Sequence, residues 1–207
     1  MTGAVFYEPS KRNHGLPHDP FQALVTPRPI GWISTKSAAG ELNLAPYSYF
    51  NALSSNPWLI MFSASSEKHS VVFARETGEF VANFVSANLT DAMVQSSVAA
   101  PRGVNEFDLA GLTPEPGIMV GVPRVKEAFA ALECKLTEIW RPKSLSRPGV
   151  APYVVTGEVV GVYIDERILT EGLVDIAKAR PVSRLGYLDY AVTNETFSKV
   201  RPQWNPP

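Results

Sequence analysis

The chain of 207 residues predicts a mainly β domain of the barrel or sandwich type. Apolar segments rich in β-branched residues recur along it, and short turns that contain Gly, Pro, Ser or Asn separate them. Helical patterns are fewer and shorter. Because no internal repeat or linker divides the sequence, we expect one domain over residues 1–207, with a Pro-rich surface extension at 1–26 and a tail at 191–207.

The first two strands are predicted at residues 28–35 and 42–53. The first arm is apolar and β-branched and then becomes rich in hydroxyl groups, and a turn that contains Gly40 follows it. Two extended arms joined by a Gly-containing turn predict a β-hairpin. A third strand is predicted at residues 58–64, directly after the turn residue Pro57.

The centre of the chain alternates helices with a strand. Residues 67–77 hold consecutive apolar residues in a helical context, and Gly78 is suited to end that helix. Residues 79–85 alternate in polarity and predict a strand. A second helix is expected to begin with Asn88 or Thr90 as its N-cap and to end near residue 99.

The remaining elements follow from the same patterns. They are a short helix at 106–110, strands at 130–140 and 153–164, and a helix at 171–179, with loops at 101–124 and 141–152.

Composition excludes several classes of function. The formal net charge is −1, and the basic residues are scattered, which argues against nucleic acid or an anionic membrane as a partner. No apolar run is long enough to span a bilayer, and the N-terminus lacks the pattern of a signal peptide, so a cytoplasmic protein is expected. His14, His18 and His69 lack metal-ligand spacing, so no metal is expected. The single Cys134 is interpreted as a buried small hydrophobe, with a redox role as the alternative.

Neutral polar residues gather at the ends of the first two arms. They are Ser34, Thr35, Ser48, Tyr49 and Asn51, beside the aromatic residues Tyr47 and Phe50. Such a set of donors, acceptors and rings suits a flat heterocycle with polar edges and an anionic tail better than it suits an ordinary core.

The order and spacing of several segments resemble the flavin reductase-like family. The segments are RPIGWIST, NLAPYSYFNALSSNP and WLIMFSASSEKHS, then GEFVANFV, EFDLAGLTP, ALECKLTEIW, GEVVGVYID and ARPVSRLGYLDY. The resemblance covers about residues 20–190. It implies an FMN-binding split β-barrel of six strands in a Greek-key arrangement with peripheral helices. It also implies a homodimer with the cofactor near the subunit interface.

The candidate phosphate-binding residues lie where the third strand passes into the first helix. They are Ser63, Ser65, Ser66, Lys68 and Ser70. A helix N-terminus adds N–H donors and a positive dipole, and Lys68 adds a charge. The family pattern places a lysine and a hydroxyl residue two positions later against the phosphate, which here are Lys68 and Ser70. His69 stands where the family leads us to expect an acidic residue. The alternative is a serine that caps the helix and a solvated lysine.

Three further groups are expected near the flavin by resemblance. The first arm contributes Trp32, Ser34 and Thr35, the second contributes Ser48, Tyr49, Phe50 and Asn51, and later positions contribute Asn83 and Arg184. Each has an ordinary alternative: polar alternation in a half-buried strand, backbone contacts only, a cross-strand hydrogen bond for Asn83, and a surface ion pair for Arg184.

The resemblance implies an FMN-dependent oxidoreductase. It would take a hydride from NADH or NADPH and pass electrons to free flavin, a monooxygenase partner or another acceptor. The flavin would carry the chemistry, so no catalytic side chain is predicted. No G-x-G-x-x-G fingerprint is present, and the nicotinamide is expected to stack directly on the flavin. The alternatives are a pyridoxamine-phosphate-oxidase-like flavoenzyme and an FMN-binding carrier or sensor with little reductase activity.

Overall fold

The computed structural model describes residues 3–204. Its strands are β1 (Arg28–Pro29), β2 (Gly31–Lys36), β3 (Leu42–Tyr47), β4 (Phe50–Ser55), β5 (Trp58–Ala64), β6 (Glu79–Asn83), β7 (Pro114–Glu115), β8 (Arg124–Val125), β9 (Ala130–Trp140), β10 (Tyr153–Ile164), β11 (Leu169–Thr170), β12 (Leu173–Val174), β13 (Val182–Arg184) and β14 (Tyr190–Val192). Its α-helices are α1 (Phe21–Leu24), α2 (His69–Thr77), α3 (Thr90–Gln95), α4 (Glu106–Leu109) and α5 (Ile176–Ala179), and short 3₁₀ turns cover Ala87–Leu89 and Glu166–Ile168.

Seven antiparallel strands form the main sheet, in the order β3-β2-β6-β9-β10-β5-β4. The consecutive strands β3 and β4 lie at its two opposite edges and are joined by only Ser48 and Tyr49. The chain from Tyr47 to Phe50 spans at most about 11 Å. The sheet must therefore curl until its edges nearly meet, which produces an incompletely closed barrel. We call Ser48–Tyr49 the closing turn.

The sequence predicted six strands, and the main sheet has seven because the expected arm at residues 42–53 is two strands. β3 pairs with β2 and β4 pairs with β5, so the arm must change partners at the closing turn. The expected strand at 28–35 is also divided, since β1 pairs with β13 outside the main sheet. The hairpin between the first two arms is confirmed for residues 31–47.

The interior of the curled sheet is apolar. Ile33, Phe62, Phe80 and Val155 are fully buried there with Val71 of helix α2, and the rings of Phe62 and Phe80 meet edge to face at 5.5 Å between centroids. Cys134 lies in the same cluster, where burial raises the pKa of its thiol, so the structure agrees with a buried small hydrophobe. A separate cluster around Trp32 and Phe107 packs helices α3 and α4 against β2 and β3.

Each helix predicted from the sequence is present at least in part, but several of the helix ends differ from the prediction. Gly78 ends α2 in the left-handed conformation (φ 70°), as predicted. The helix predicted to reach residue 99 stops at Gln95, and its N-cap is Leu89 rather than Asn88 or Thr90, because a 3₁₀ turn precedes it. Of the helix predicted at 171–179 only α5 forms, since β11 and β12 make a hairpin before it.

A smaller sheet, in the order β1-β13-β14, lies beside the barrel. Arg28 of β1 is buried and donates hydrogen bonds to the carbonyl oxygens of Val25 (2.6 Å) and Leu185 (2.9 Å). These bonds join the segment before β1 to the segment directly after β13. Within residues 3–204, no helix is both long and apolar enough to cross a membrane.

Candidate functional site

Strand β5 leads into helix α2 through a short polar corner. No side chain caps the N-terminus of α2, and Lys68 occupies its N-cap in an extended conformation (φ −77°, ψ 167°). The first turn of a helix presents N–H groups that point away from the helix and carry a partial positive charge. The sequence predicted this corner as a phosphate site, and the structure places a cation and an uncapped helix terminus together there.

A cavity of about 360 Å³ opens at this corner, and we call it the α2 pocket. Its walls come from β3, from residues 66–69, from residues 97–100 after α3, and from Glu106 of α4. Of the five predicted phosphate residues, Ser66 and Lys68 line it. The closing turn follows directly after its β3 wall, so the pocket lies next to the seam of the barrel.

The floor of the α2 pocket is a chain of buried polar groups. Asn43 donates from Nδ2 to Oγ of Ser70 (2.9 Å) and to Oγ1 of Thr35 (3.3 Å). Thr35 and Ser70, both predicted to contact the cofactor, are fully buried beneath Asn43. They therefore position Asn43, which itself lines the pocket.

Glu106 forms another part of the wall and is almost fully buried. Its Oε2 accepts a hydrogen bond from the backbone N–H of Leu44 (3.1 Å). Burial raises the pKa of the Glu106 carboxyl, and the N–H of Leu44 and the nearby charge of His69 oppose that rise. Glu106 therefore places an acidic group inside the pocket, and Lys68 places a cation at its rim.

Tyr47 provides the one buried polar side-chain atom of the pocket that has no hydrogen-bond partner within residues 3–204. Its hydroxyl is buried and makes no hydrogen bond there, although buried polar groups normally have one. Burial raises the pKa of Tyr47 to about 12, and the hydroxyl of Ser70, which lies nearby without making a hydrogen bond of normal geometry, opposes part of that rise. The Tyr47 hydroxyl is therefore neutral at physiological pH and can donate. Its ring centroid is 6.0 Å from Nζ of Lys68. A polar ligand with hydroxyl groups and an anionic end would satisfy both residues.

Trp32, Ser34 and Asn83, predicted at the flavin, are instead committed to contacts inside the fold. Trp32 Nε1 donates to Ser96 Oγ (2.8 Å), and Ser34 Oγ donates to the carbonyl oxygen of Pro123 (2.6 Å). Asn83 donates to Trp32 O (2.9 Å) and accepts from the N–H of Val125 (2.8 Å). The alternative of cross-strand hydrogen bonding for Asn83 therefore describes the structure, and none of the three lines the α2 pocket.

The remaining predicted residues of the second arm lie on both sides of the closing turn. Tyr49 is exposed, its hydroxyl accepts from Gln22 (3.3 Å), and its ring centroid is 5.9 Å from the guanidinium of Arg28. Phe50 packs on Gly31, where a β-carbon would lie 2.3 Å from the Phe50 ring. Asn51 is exposed and makes a local hydrogen bond to the backbone of the next residue.

Ser48, Ser63 and Ser65 are at the surface or half-buried and do not line the α2 pocket. As cofactor contacts they stay predictions. Ser48 lies between Tyr47 and Tyr49 in the chain, and Ser65 directly precedes Ser66. The backbone N–H of Ser63 bonds to the carbonyl oxygen of Tyr49 (2.8 Å), which joins the closing turn to the end of β5.

Arg184 lies in β13, opposite Arg28 of β1, and not in the α2 pocket. Its guanidinium donates to the carbonyl oxygen of Tyr187 and stacks on the ring of Tyr190, 4.5 Å from the centroid. The surface ion pair offered as the alternative does not form within residues 3–204, where Arg184 has no carboxylate within salt-bridge distance.

Asn43, Glu106 and residues 97–100 are among the pocket residues that sequence reasoning missed, and Tyr47 was expected only as an aromatic neighbour of the polar groups. Asn43 and Glu106 carry a usable signal, since a polar residue within an apolar segment needs a partner when it is buried. Residues 97–100 carry no such signal, because small residues are common in a loop that follows a helix.

Comparison with known proteins agrees with this architecture. The sequence model described as "flavin reductase like domain" matches residues 24–182. An uncharacterized protein from Aquifex aeolicus is 41% identical over 169 residues, which are 79% of this chain and 83% of that protein.

Two solved structures extend the comparison. Nitrilotriacetate monooxygenase component B from Bacillus cereus has a TM-score of 0.83 and 30% identity, covering 96% of this chain and 100% of that chain. A Shewanella frigidimarina protein, described as a flavin reductase with a split barrel domain, has a TM-score of 0.78 and 24% identity, covering 88% and 90%. The second likeness shows the fold alone. The fold is thus the split barrel that the sequence predicted, and the chain belongs to the flavin reductase-like family.

Proposed function

We propose that this protein is an FMN-dependent oxidoreductase that binds the cofactor phosphate at the corner between β5 and α2. The observation that carries the proposal is the uncapped N-terminus of α2 with Lys68 at its N-cap, on the rim of the α2 pocket. Backbone N–H groups, a hydroxyl of Ser66 and one cation are the donors that a phosphate monoester requires.

The unpartnered hydroxyl of Tyr47 supports the fit. We propose that it donates to, or accepts from, the ribityl hydroxyl groups, and that the amide of Asn43 holds the same chain from below. Asn43 is suited to this role because Thr35 and Ser70 already orient it. A buried hydroxyl that remains unpaired costs about 1–3 kcal/mol, and a ligand that pairs with it recovers that free energy.

FMN, when bound, would accept a hydride from NADH or NADPH and deliver electrons to free flavin, a monooxygenase component or another acceptor. The protein's own residues would bind and orient it, and no side chain need act as acid or base. The likeness to a monooxygenase component favours a partner monooxygenase among the acceptors. Arg184, held by Tyr187 and Tyr190, remains our candidate for the nicotinamide side.

We also propose a homodimer and, as expected from the sequence, a cytoplasmic location. The dimer is supported by the exposed edge of the main sheet. β4 is an edge strand, and Leu53 on it and Trp58 on the adjacent strand β5 expose more than half of their surface. An exposed apolar sheet edge is a surface that proteins normally cover.

The test starts from the purified protein, which should be yellow and should release FMN rather than FAD on denaturation. NADH or NADPH should bleach the flavin absorbance rapidly in a stopped-flow instrument. A colourless protein that also fails to bind added FMN would contradict the whole proposal. Bound FMN that neither nucleotide reduces would favour the carrier or sensor, and released FAD would change the cofactor only.

A further inference from the structure

The charged side chains that line the α2 pocket do not balance for an anionic ligand. Glu67 and Glu106 bring carboxyl groups to the wall, and Lys68 brings an ammonium group. Glu67 is paired with Arg75, whereas Glu106 has no basic side chain within salt-bridge distance among residues 3–204. A phosphate in this pocket therefore shares it with an acid that no ion pair compensates, and like charges repel more strongly there than in bulk water.

His69 is the second basic residue of the pocket lining. It is the first residue of α2, so it lies at the proposed phosphate corner beside Lys68. Its ring stacks on the ring of Phe73, with 5.7 Å between the centroids and 13° between the planes. Phe73 is buried, so the stack fixes the plane of the imidazole. Neither ring nitrogen takes part in a hydrogen bond within residues 3–204, and both lie in that plane, where a ligand can meet them.

The ionisable groups that act on His69 come from several segments. Burial raises the pKa of the Glu106 carboxyl, and the charge of His69 opposes that rise. A hydrogen bond from Arg102 lowers the pKa of Glu41, and the charge of His69 adds a smaller effect in the same direction. Both carboxylates therefore favour a protonated His69, and Lys68 opposes it. Because Arg102 already neutralises Glu41 at 2.6 Å, Glu106 is the acid of the pocket wall that His69 compensates.

We propose that His69 is a second cation for the FMN phosphate, and that it serves in its imidazolium form, so that binding takes up a proton. This inference rests on the FMN site proposed above. A histidine side chain ordinarily changes its charge between about pH 5 and 8, and two negative groups, the phosphate and Glu106, both favour the charged form. The imidazolium would donate a charge-assisted hydrogen bond to the phosphate. Its contribution to FMN affinity should consequently fall as the pH rises.

Titrations of the apoprotein with FMN and with riboflavin, between about pH 6 and 8.5, test the role of His69. We expect His69→Gln to weaken FMN binding about tenfold at the low end of this range and less than twofold at the high end. His69→Lys keeps its charge throughout and should retain tight binding at both ends. Comparison of variants at one pH cancels the second ionisation of the FMN phosphate itself, near about pH 6.

Riboflavin lacks the phosphate, so its affinity should change less than twofold in both His69 variants, which also shows that their binding site is folded. His14→Gln is the matched control, because His14 lies in the N-terminal extension and accepts from the N–H of Leu16 (3.0 Å). It should keep the wild-type pH profile. Calorimetry near neutral pH, in buffers of different ionisation enthalpy, counts the protons directly. The wild type should take up more protons with FMN than either His69 variant does.

Equal pH profiles and equal proton counts for the wild type and His69→Gln would overturn the inference. Proton uptake that is lost in Glu106→Gln and kept in His69→Gln would overturn it as well, because Glu106 would then be the group that accepts the proton. Either result would leave the proposed FMN site standing. A wild-type protein that binds neither flavin would overturn the proposed function and this inference together.

Discussion

Asn43 Nδ2 donates a 2.9 Å hydrogen bond to Ser70 Oγ, and this contact joins strand β3 to the first turn of helix α2. Both side chains are buried. Because α2 carries Lys68 at its N-cap and β3 carries Tyr47, the bond sets the position of the proposed phosphate corner relative to the polar floor of the α2 pocket.

Asn43→Ala should lower the free energy of unfolding of the apoprotein by about 1–3 kcal/mol, because it removes a buried donor from Ser70 and Thr35. It should also weaken FMN binding. Urea unfolding and a flavin titration measure the two effects. Asn51→Ala, at an exposed asparagine of β4, is the control and should change stability by less than about 0.5 kcal/mol. Equal stability of the Asn43 and Asn51 variants would contradict the role of this network.

Lys68→Ala should weaken FMN binding by about one to two decades while leaving the fold intact. One charge-assisted hydrogen bond to phosphate contributes roughly 1.5–3 kcal/mol. Titration of the apoprotein with FMN measures the dissociation constant. Lys143→Ala, in the exposed loop between β9 and β10, serves as the control. If both lysine variants bind FMN like the wild type, Lys68 is a solvated lysine, as the alternative holds.

Trp32→Phe separates a structural role from direct contact with the flavin. The substitution keeps most of the apolar volume but removes the hydrogen bond from Nε1 to Ser96, so stability should fall by about 0.5–1.5 kcal/mol. The FMN dissociation constant should change less than twofold. Trp58→Phe, at an exposed tryptophan, is the stability control. A tenfold loss of FMN affinity at unchanged stability would instead restore Trp32 to the list of direct contacts.

Glu106→Gln should remove one contribution to the pH dependence of stability, the one that falls as the pH rises. Burial raises the pKa of Glu106 in the folded protein above its value in the unfolded chain, near 4.5. Between those two values the folded state binds more protons than the unfolded state, so the free energy of unfolding falls as pH rises. Below the unfolded value the favourable contribution is fully present, and above the folded value it has been lost.

Urea unfolding of the apoprotein across pH 4 to 8 compares this variant with Glu158→Gln, an exposed glutamate of β10. Relative to the Glu106 variant, the wild type and the Glu158 variant should both lose stability as the pH rises, because both retain the Glu106 carboxyl. Gln can still accept from the N–H of Leu44, so the test isolates the titration from the hydrogen bond. Parallel profiles for all three proteins would show that Glu106 titrates normally.

Arg184→Ala should impair either FMN binding or reduction by NAD(P)H, with the fold intact. A role at the flavin raises the FMN dissociation constant, whereas a role at the nucleotide slows the hydride step at limiting NAD(P)H. A flavin titration and stopped-flow reduction of the FMN-saturated variant report the two separately. Arg147→Ala, on an exposed loop, is the control. Changes below about twofold in both quantities would remove Arg184 from the site.

Sequence patterns determined most of the strands and the confirmed end of α2. The strand assignments depend on alternation and β-branching, and Gly78 depends on its freedom to adopt a positive φ; both properties belong to a few neighbouring residues. The corner at Ser66 and Lys68 could be proposed from the sequence for the same reason, because a hydroxyl, a cation and a helix start lie close together in the chain.

The pairing of the second arm was decided only by the tertiary structure. Residues 42–53 have one continuous extended pattern, and the choice of β2 for the first half and β5 for the second depends on the curling of the whole sheet. No local property of Ser48 and Tyr49 distinguishes a change of partner from a continuing strand.

Tertiary contacts also decided which polar side chains are bonded within the protein and which line a pocket. Ser34 and Asn83 look like ligand-binding residues in the sequence, whereas in the structure the Pro123–Val125 segment uses their hydrogen-bonding groups. Glu106 and Asn43 show the converse, since chain folding brings residues separated by about sixty positions into one pocket. A sequence states which groups need hydrogen-bond partners, and only packing decides whether the partner is the protein itself or a ligand.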